Sequence, residues 1–160
     1  MKVISNSTPL IALSRIGELE LLHSLFDNII IPCAVFNEVV LEGAGRPGVK
    51  EVKNASWIIK AEVANQLAVS LLESDLDRGE CEAIVLAKEL NADYLLLDER
   101  KARRIIRNSG IKVMGTLGVL GLAAKNGLLT DFDNVFQRLG ENGFRFKPAV
   151  TKEVKNYFIK

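Results

Sequence analysis

Short apolar runs alternate with longer stretches of helical spacing along this chain, a pattern that predicts strand followed by helix several times over. Val3-Ile4-Ser5 reads as a short buried strand that stops at Asn6. Thr8 is placed to cap the next helix, with Pro9 at its first position, where no amide hydrogen is needed. Leu10, Ile11, Leu13 and Ser14 keep the helical spacing until Gly17, and Glu18 to Phe26 form a second helix with Leu19, Leu22 and Phe26 on one side. Asn28-Ile29-Ile30-Ile31, ended by Pro32, predicts a second strand. Ala34 to Leu41 returns to helix, with Glu38 about one and a half turns in.

Gly43, Gly45, Pro47 and Gly48 mark a loop, after which Trp57-Ile58-Ile59 predicts a third, peripheral strand. An apolar helix follows from about Val63 to Leu72, then a polar break over Glu73 to Gly79 and a clear helix over Gly79 to Leu90. Asp93-Tyr94-Leu95-Leu96-Leu97 is a strand ending on Asp98, Glu99 to Asn108 a helix, and Ile111 to Met114 a last parallel strand. Gly115-Thr116 opens a helix ending near Asn126-Gly127. Beyond Thr130 come a helix, a Gly143-Phe144-Arg145-Phe146 connector and a final helix. This alternation implies α/β class, a three-layer α/β/α sandwich on a mainly parallel, Rossmann-like sheet. We expect one domain over residues 1–160, with a core of about 1–128 and a helical tail of about 130–160.

Composition narrows the picture. A chain of 160 residues that is 48% hydrophobic suits one full-sized core. No apolar run reaches the ~18 residues of a membrane span, and the start turns polar too early for a signal peptide; a cytoplasmic protein is expected. Cys33 and Cys81, with no Cys-x-x-Cys, suit reduced thiols. A single histidine, His23, argues against a zinc site and leaves a hard cation on oxygen ligands. The formal charge of +1, from 21 basic and 20 acidic residues, excludes a globally basic nucleic-acid coat, so nucleic-acid binding must use a local patch.

The candidate chemistry lies at strand ends and helix starts: Asn6, Glu38, Glu80 and Asp98. Such positions gather in the crevice at the carboxyl ends of parallel strands, where these folds bind ligands. Three carboxylates meeting there repel one another, by roughly 3 kcal/mol per pair at ~5 Å and an effective dielectric of about 20. A divalent cation is the simplest neutraliser, and metal-dependent phosphodiester hydrolysis follows. Each residue also has a plainer explanation. Asp98 is an N-cap candidate for the helix starting at Glu99, and Asp77-Arg78-Gly79-Glu80 has capping-box spacing. Glu38 alone reads as a solvated helix residue, and Asn6 as a turn or cap residue. Glu80 shares its helical column with Ala83, Ile84 and Ala87 and should point inward. Glu82, in line with Val85, Leu86 and Glu89, should be more solvated.

Taken together, Ser5-Asn6-Ser7-Thr8-Pro9-Leu10-Ile11-Ala12-Leu13, Ile31-Pro32 with Val35 and Glu38, Gly79-Glu80 with Glu82-Ala83-Ile84, Leu95-Leu96-Leu97-Asp98-Glu99 with Arg103, and Gly115-Thr116-Leu117-Gly118 resemble the PIN-domain family of metal-dependent ribonucleases. The similarity is nearest to a prokaryotic branch related to the VapC-type toxins. The resemblance implies five parallel strands, an acidic pocket holding one or two Mg2+ or Mn2+ ions, and products with a 3′-hydroxyl and a 5′-phosphate. It makes Asp98 and Glu80 the main metal ligands, Glu38 a ligand or water-orienting group, and Asn6 a neutral ligand. Asn6 stands where the family usually has an aspartate, which removes one charge and weakens the site. The implied function is a metal-dependent endoribonuclease acting on RNA, a toxin silenced by an antitoxin protein. The alternative is a catalytically weak or inactive module that holds RNA or a protein.

Arg100, Arg103, Arg104 and Arg107 share one side of the helix after Asp98, either as a phosphate-gripping stripe or as a solvated face. The spacing of Gly115, Gly118 and Gly121 fits no nucleotide loop and predicts close helix–sheet packing instead. Leu19, Leu22 and Phe26 in one helix, and Val63, Leu67 and Leu71 in another, would serve a homodimer face or the core equally well.

Overall fold

The structure is a computed structural model that describes residues 1–159. In chain order its elements are β1 (Val3–Ser5), α1 (Ser7–Arg15), α2 (Glu20–Phe26), β2 (Ile29–Pro32), α3 (Cys33–Phe36), α4 (Val49–Asn54), β3 (Ile58–Ala61), α5 (Gln66–Leu72), α6 (Arg78–Glu89), β4 (Tyr94–Leu96), α7 (Arg100–Ile106), β5 (Lys112–Met114), α8 (Thr116–Lys125), α9 (Phe132–Glu141) and α10 (Pro148–Phe158). The five strands form one sheet in the order β3-β2-β1-β4-β5, and every pairing is parallel. Helices cover both faces, giving the expected α/β/α sandwich. No helix among the described residues is long and apolar enough to cross a membrane.

Because successive strand residues face opposite ways, the short strands feed two cores. Val3, Ile29, Ile31 and Leu96 join α1, α2, α8 and α9 on one face. Ile4, Leu95 and Leu97 join Val69 of α5, Ala83 to Ala87 of α6 and Ala102 and Ile106 of α7 on the other. The central strands are therefore apolar except at the buried Ser5, as a sheet covered on both faces requires.

Local details depart from the expectations in instructive ways. The first helix begins at Ser7, with extended Asn6 as its N-cap residue, rather than at a Thr8 cap. The Asn6 amide is held by the Leu96 carbonyl at 2.9 Å, so the chain stays extended through Asn6 and Pro9 falls inside the first turn. The helix expected over 34–41 is two pieces: α3 continues into a wider π turn, Asn37–Leu41, closed by the Glu42 amide on the Asn37 carbonyl at 2.8 Å. Gly43 permits this, since a side chain there would collide with the Val39 carbonyl. The third strand runs on to Ala61 because its pairing continues as far as Pro32–Ala61.

Gly121 provides close packing of a different kind from that expected. A methyl group there would run into Phe158 and Val154, so the glycine lets α10 lie against α8. Leu19, Leu22, Phe26 and Val63 are core residues, whereas Leu67 and Leu71 on α5 are 71% and 70% exposed.

Candidate functional site

In an open parallel sheet, neighbouring strands whose connections run in opposite directions leave a crevice at their carboxyl ends. Here β1 and β4 are that pair; Asn6 follows β1 directly, and Asp98 follows β4 after Leu97. Glu38 arrives on the π turn and Glu80 on the first turn of α6. All four line one open cleft of about 1410 Å³, as do Asp77, Glu99, Arg100 and Arg103. Residues far apart in sequence thus meet where the topology places them.

Each acid has a defined partner. Both oxygens of Asp98 are engaged by Thr116, the backbone amide at 2.8 Å and the hydroxyl at 2.6 Å. Asp98 therefore holds the amino end of α8, where the helix dipole favours an anion, while Glu99 caps α7. Glu38 Oε2 accepts from the Ser7 hydroxyl at 2.6 Å. Glu80 completes a true capping box: its Oε1 accepts from the Asp77 amide at 3.0 Å, and Asp77 Oδ1 accepts from the Glu80 amide at 2.8 Å. Glu80 is nonetheless only 8% exposed, as the apolar column predicts. Burial, reinforced by the neighbouring Asp77 and Glu99 charges, pushes its carboxyl up to about 7.

Asn6 differs from the rest. It is 5% exposed, and its Oδ1 is a buried oxygen with no hydrogen-bond partner. Leaving such a buried oxygen unpaired costs on the order of 1–3 kcal/mol, so it is suited to receive a hydrogen-bond donor or a cation.

Glu38, Glu80 and Asp98 are brought to one cleft, as expected, without closing on a single point. Among the described residues, no three His, Cys, Asp or Glu side chains are grouped closely enough to hold a metal ion. The carboxylates share a cleft, but the capping box turns Glu80 towards Asp77 and Thr116 turns Asp98 towards α8. The expectation of a solvated Glu82 needs correction. It is 5% exposed, accepting from the Ala34 amide at 3.0 Å and from Arg78 Nε at 3.1 Å. It thereby ties the start of α3, and with it the π turn carrying Glu38, to α6.

Of the arginine stripe, Arg100 and Arg103 line the cleft, and Arg104 and Arg107 are not among its lining residues. Arg103 Nε donates to the Leu97 carbonyl at 2.8 Å. Its guanidinium and Asp98 flank the same side of Gly115, where any side chain would strike both. Arg15, Lys112, Lys125 and Arg145 also line the cleft, so a chain of formal charge +1 concentrates cations beside an acidic rim. Sequence reasoning missed Asp77 as a cleft residue, because capping-box spacing fully accounts for it on its own.

No curated protein matches the chain. A family model described as a PIN domain, DUF3368, matches residues 2–158, which takes in the whole sheet and every acid of the cleft. With that match, the five parallel strands and the acidic rim at their carboxyl ends, the chain belongs to the PIN-domain family, a nuclease fold.

Proposed function

We propose that the chain is a divalent-metal-dependent endoribonuclease, the toxin of a toxin–antitoxin pair, with RNA bound across the cleft and an antitoxin segment covering it in the silenced state. The observation that carries this reading is the unpartnered, buried Oδ1 of Asn6 at the β1–β4 crevice, rimmed by carboxylates and flanked by Arg100 and Arg103. The donors suit Mg2+ or Mn2+: every candidate is an oxygen, and no histidine or cysteine is among the residues lining the cleft. Asp98, Glu80, Glu38 and Asn6 would hold the ion, directly or through water. A bound divalent ion would lower the pKa of a water molecule and stabilise charge on the attacked phosphate.

The chain's own groups do the rest. Arg103, held by the Leu97 carbonyl, presents a fixed guanidinium to a phosphate beside Asp98. Ser7 orients Glu38, and Thr116 orients Asp98. With no cation bound, burial beside Asp77 and Glu99 pushes the Glu80 carboxyl up to about 7, and a divalent ion would hold it ionised.

Purified protein with Mn2+ and single-stranded RNA should yield fragments with 5′-phosphates, and chelation should stop the reaction. Asp98→Asn, which keeps an acceptor for Thr116 but loses the charge, is expected to slow cleavage about a hundredfold or more, the scale for losing one electrostatic contributor. Cleavage that ignores chelation and this substitution would be that of a contaminant or another mechanism. The neutral Asn6 and the ungrouped acids favour a second reading, a weak or inactive module that binds RNA or a protein. Asn6→Asp separates the two: a large gain over a silent wild type supports the module, and equal rates show that Asn6 does not weaken the site.

A further inference from the structure

We infer that Asp77 is a direct ligand in the cation site, which is centred on Gly79 and built from Asn6, Glu38 and Asp77; the inference rests on the metal-dependent reading above and specifies where that metal sits. Gly79, in the first turn of α6, has an open side where a β-carbon would stand. A methyl group placed there would lie 3.0 Å from Glu38 Oε2, 3.6 Å from Asn6 Oδ1 and 3.6 Å from Asp77 Oδ1. Three oxygens from three separate parts of the chain therefore face one small space, kept free by the absence of a side chain.

The oxygens are equipped to receive a cation. Asn6 Oδ1 is buried and lacks any partner. Glu38 Oε2 accepts one hydrogen bond, from Ser7, and Asp77 Oδ1 accepts one, from the Glu80 amide. A carboxylate has about four acceptor positions over its two oxygens, so both retain capacity. Two carboxylates and one amide carry two negative charges, which match a divalent ion without an aspartate at position 6. Asp77 is thus the carboxylate that makes up for the neutral Asn6. The corner also explains why three acids are not found together: its third donor is an amide. Glu80 and Asp98, whose oxygens are turned to the Asp77 amide and to Thr116, border the corner from the cleft and would reach the ion through water.

The test uses the full chain with Mn2+ alone, following bound ion by loss of the free-Mn2+ paramagnetic signal and by the shift in melting temperature. Asp77→Asn keeps the helix cap, since asparagine caps as well as aspartate, and is expected to weaken Mn2+ binding at least tenfold. Gly79→Ala keeps the helix, because alanine is the better helix former, and should block the corner to a similar degree. Glu73→Gln, a charge change on a neighbouring exposed residue, should leave binding as in the wild type. If Asp77→Asn and Gly79→Ala bind Mn2+ like the wild type while Asp98→Asn does not, the Gly79 corner is wrong and the metal-dependent reading stands. If the wild type itself binds no Mn2+, both fall.

Discussion

Glu80→Gln should raise the unfolding free energy by about 3 kcal/mol near pH 8 and leave it unchanged near pH 4, because each unit of pKa shift corresponds to about 1.4 kcal/mol. The carboxyl titrates at about 7 in the folded chain against 4.5 for the free group. Below 4.5 it is protonated in both states and burial carries no charge penalty. Between 4.5 and 7 the folded state holds the proton and the unfolded state has lost it, so stability falls as pH rises. Above 7 the group is charged in both states, and the full cost of a buried carboxylate remains. Glutamine is neutral throughout and still fits a capping box. Urea denaturation of both proteins across this range should give a difference that grows from 4.5 to 7 and then levels off. A difference independent of pH would show that burial does not control this carboxyl. The same variant is expected to cut RNA poorly, which fits a cleft that gives up stability for a charge it needs.

Gly121→Val is expected to loosen α10 from α8. A β-carbon at this position meets Phe158 and Val154 across the interface, and both lie on the helix that must move. Overpacking of this kind costs about 1–3 kcal/mol. Relief by undocking α10 would also withdraw Val154 from the core it packs against. The readouts are a lower melting temperature and faster proteolysis between Gly143 and Lys147, the segment that precedes α10. Gly118→Ala is the fitting comparison, because the added methyl meets only the Met114 side chain, which can turn aside. Equal protease resistance in Gly121→Val and the wild type would mean that the two helices tolerate the added bulk. Val150, Tyr157 and Phe158 form one wall of the cleft, so the same variant should weaken RNA binding.

The sheet could be read from the chain because runs such as Ile29-Ile30-Ile31 and Leu95-Leu96-Leu97 are apolar on both faces, and only a covered parallel sheet uses them so. The π turn was hidden, since Asn37–Leu41 keeps ordinary helical spacing and its extra residue depends on Gly43 approaching the Val39 carbonyl. The short α4 was hidden as well, having Val52 as its one buried residue. For the cleft, strand ends pointed to Asn6 and Asp98, and the apolar column pointed to an inward Glu80. Hydrogen-bond partners across the fold had no local signal. Asp98 serves α8, which begins 18 residues later, rather than its own following helix. Glu82 seemed solvated by its column, yet its partner is the Ala34 amide on another segment.

The placement of β1 between β2 and β4 has a consequence for how the protein comes to life. Its cleft borrows from both ends of the chain's first hundred residues, and a growing polypeptide that has not yet reached Asp98 possesses only part of the ring of oxygens. A chain that has not yet reached β4 also lacks the Leu96 carbonyl that holds the Asn6 amide, so the Asn6 end of the crevice takes its shape only once both strands are present.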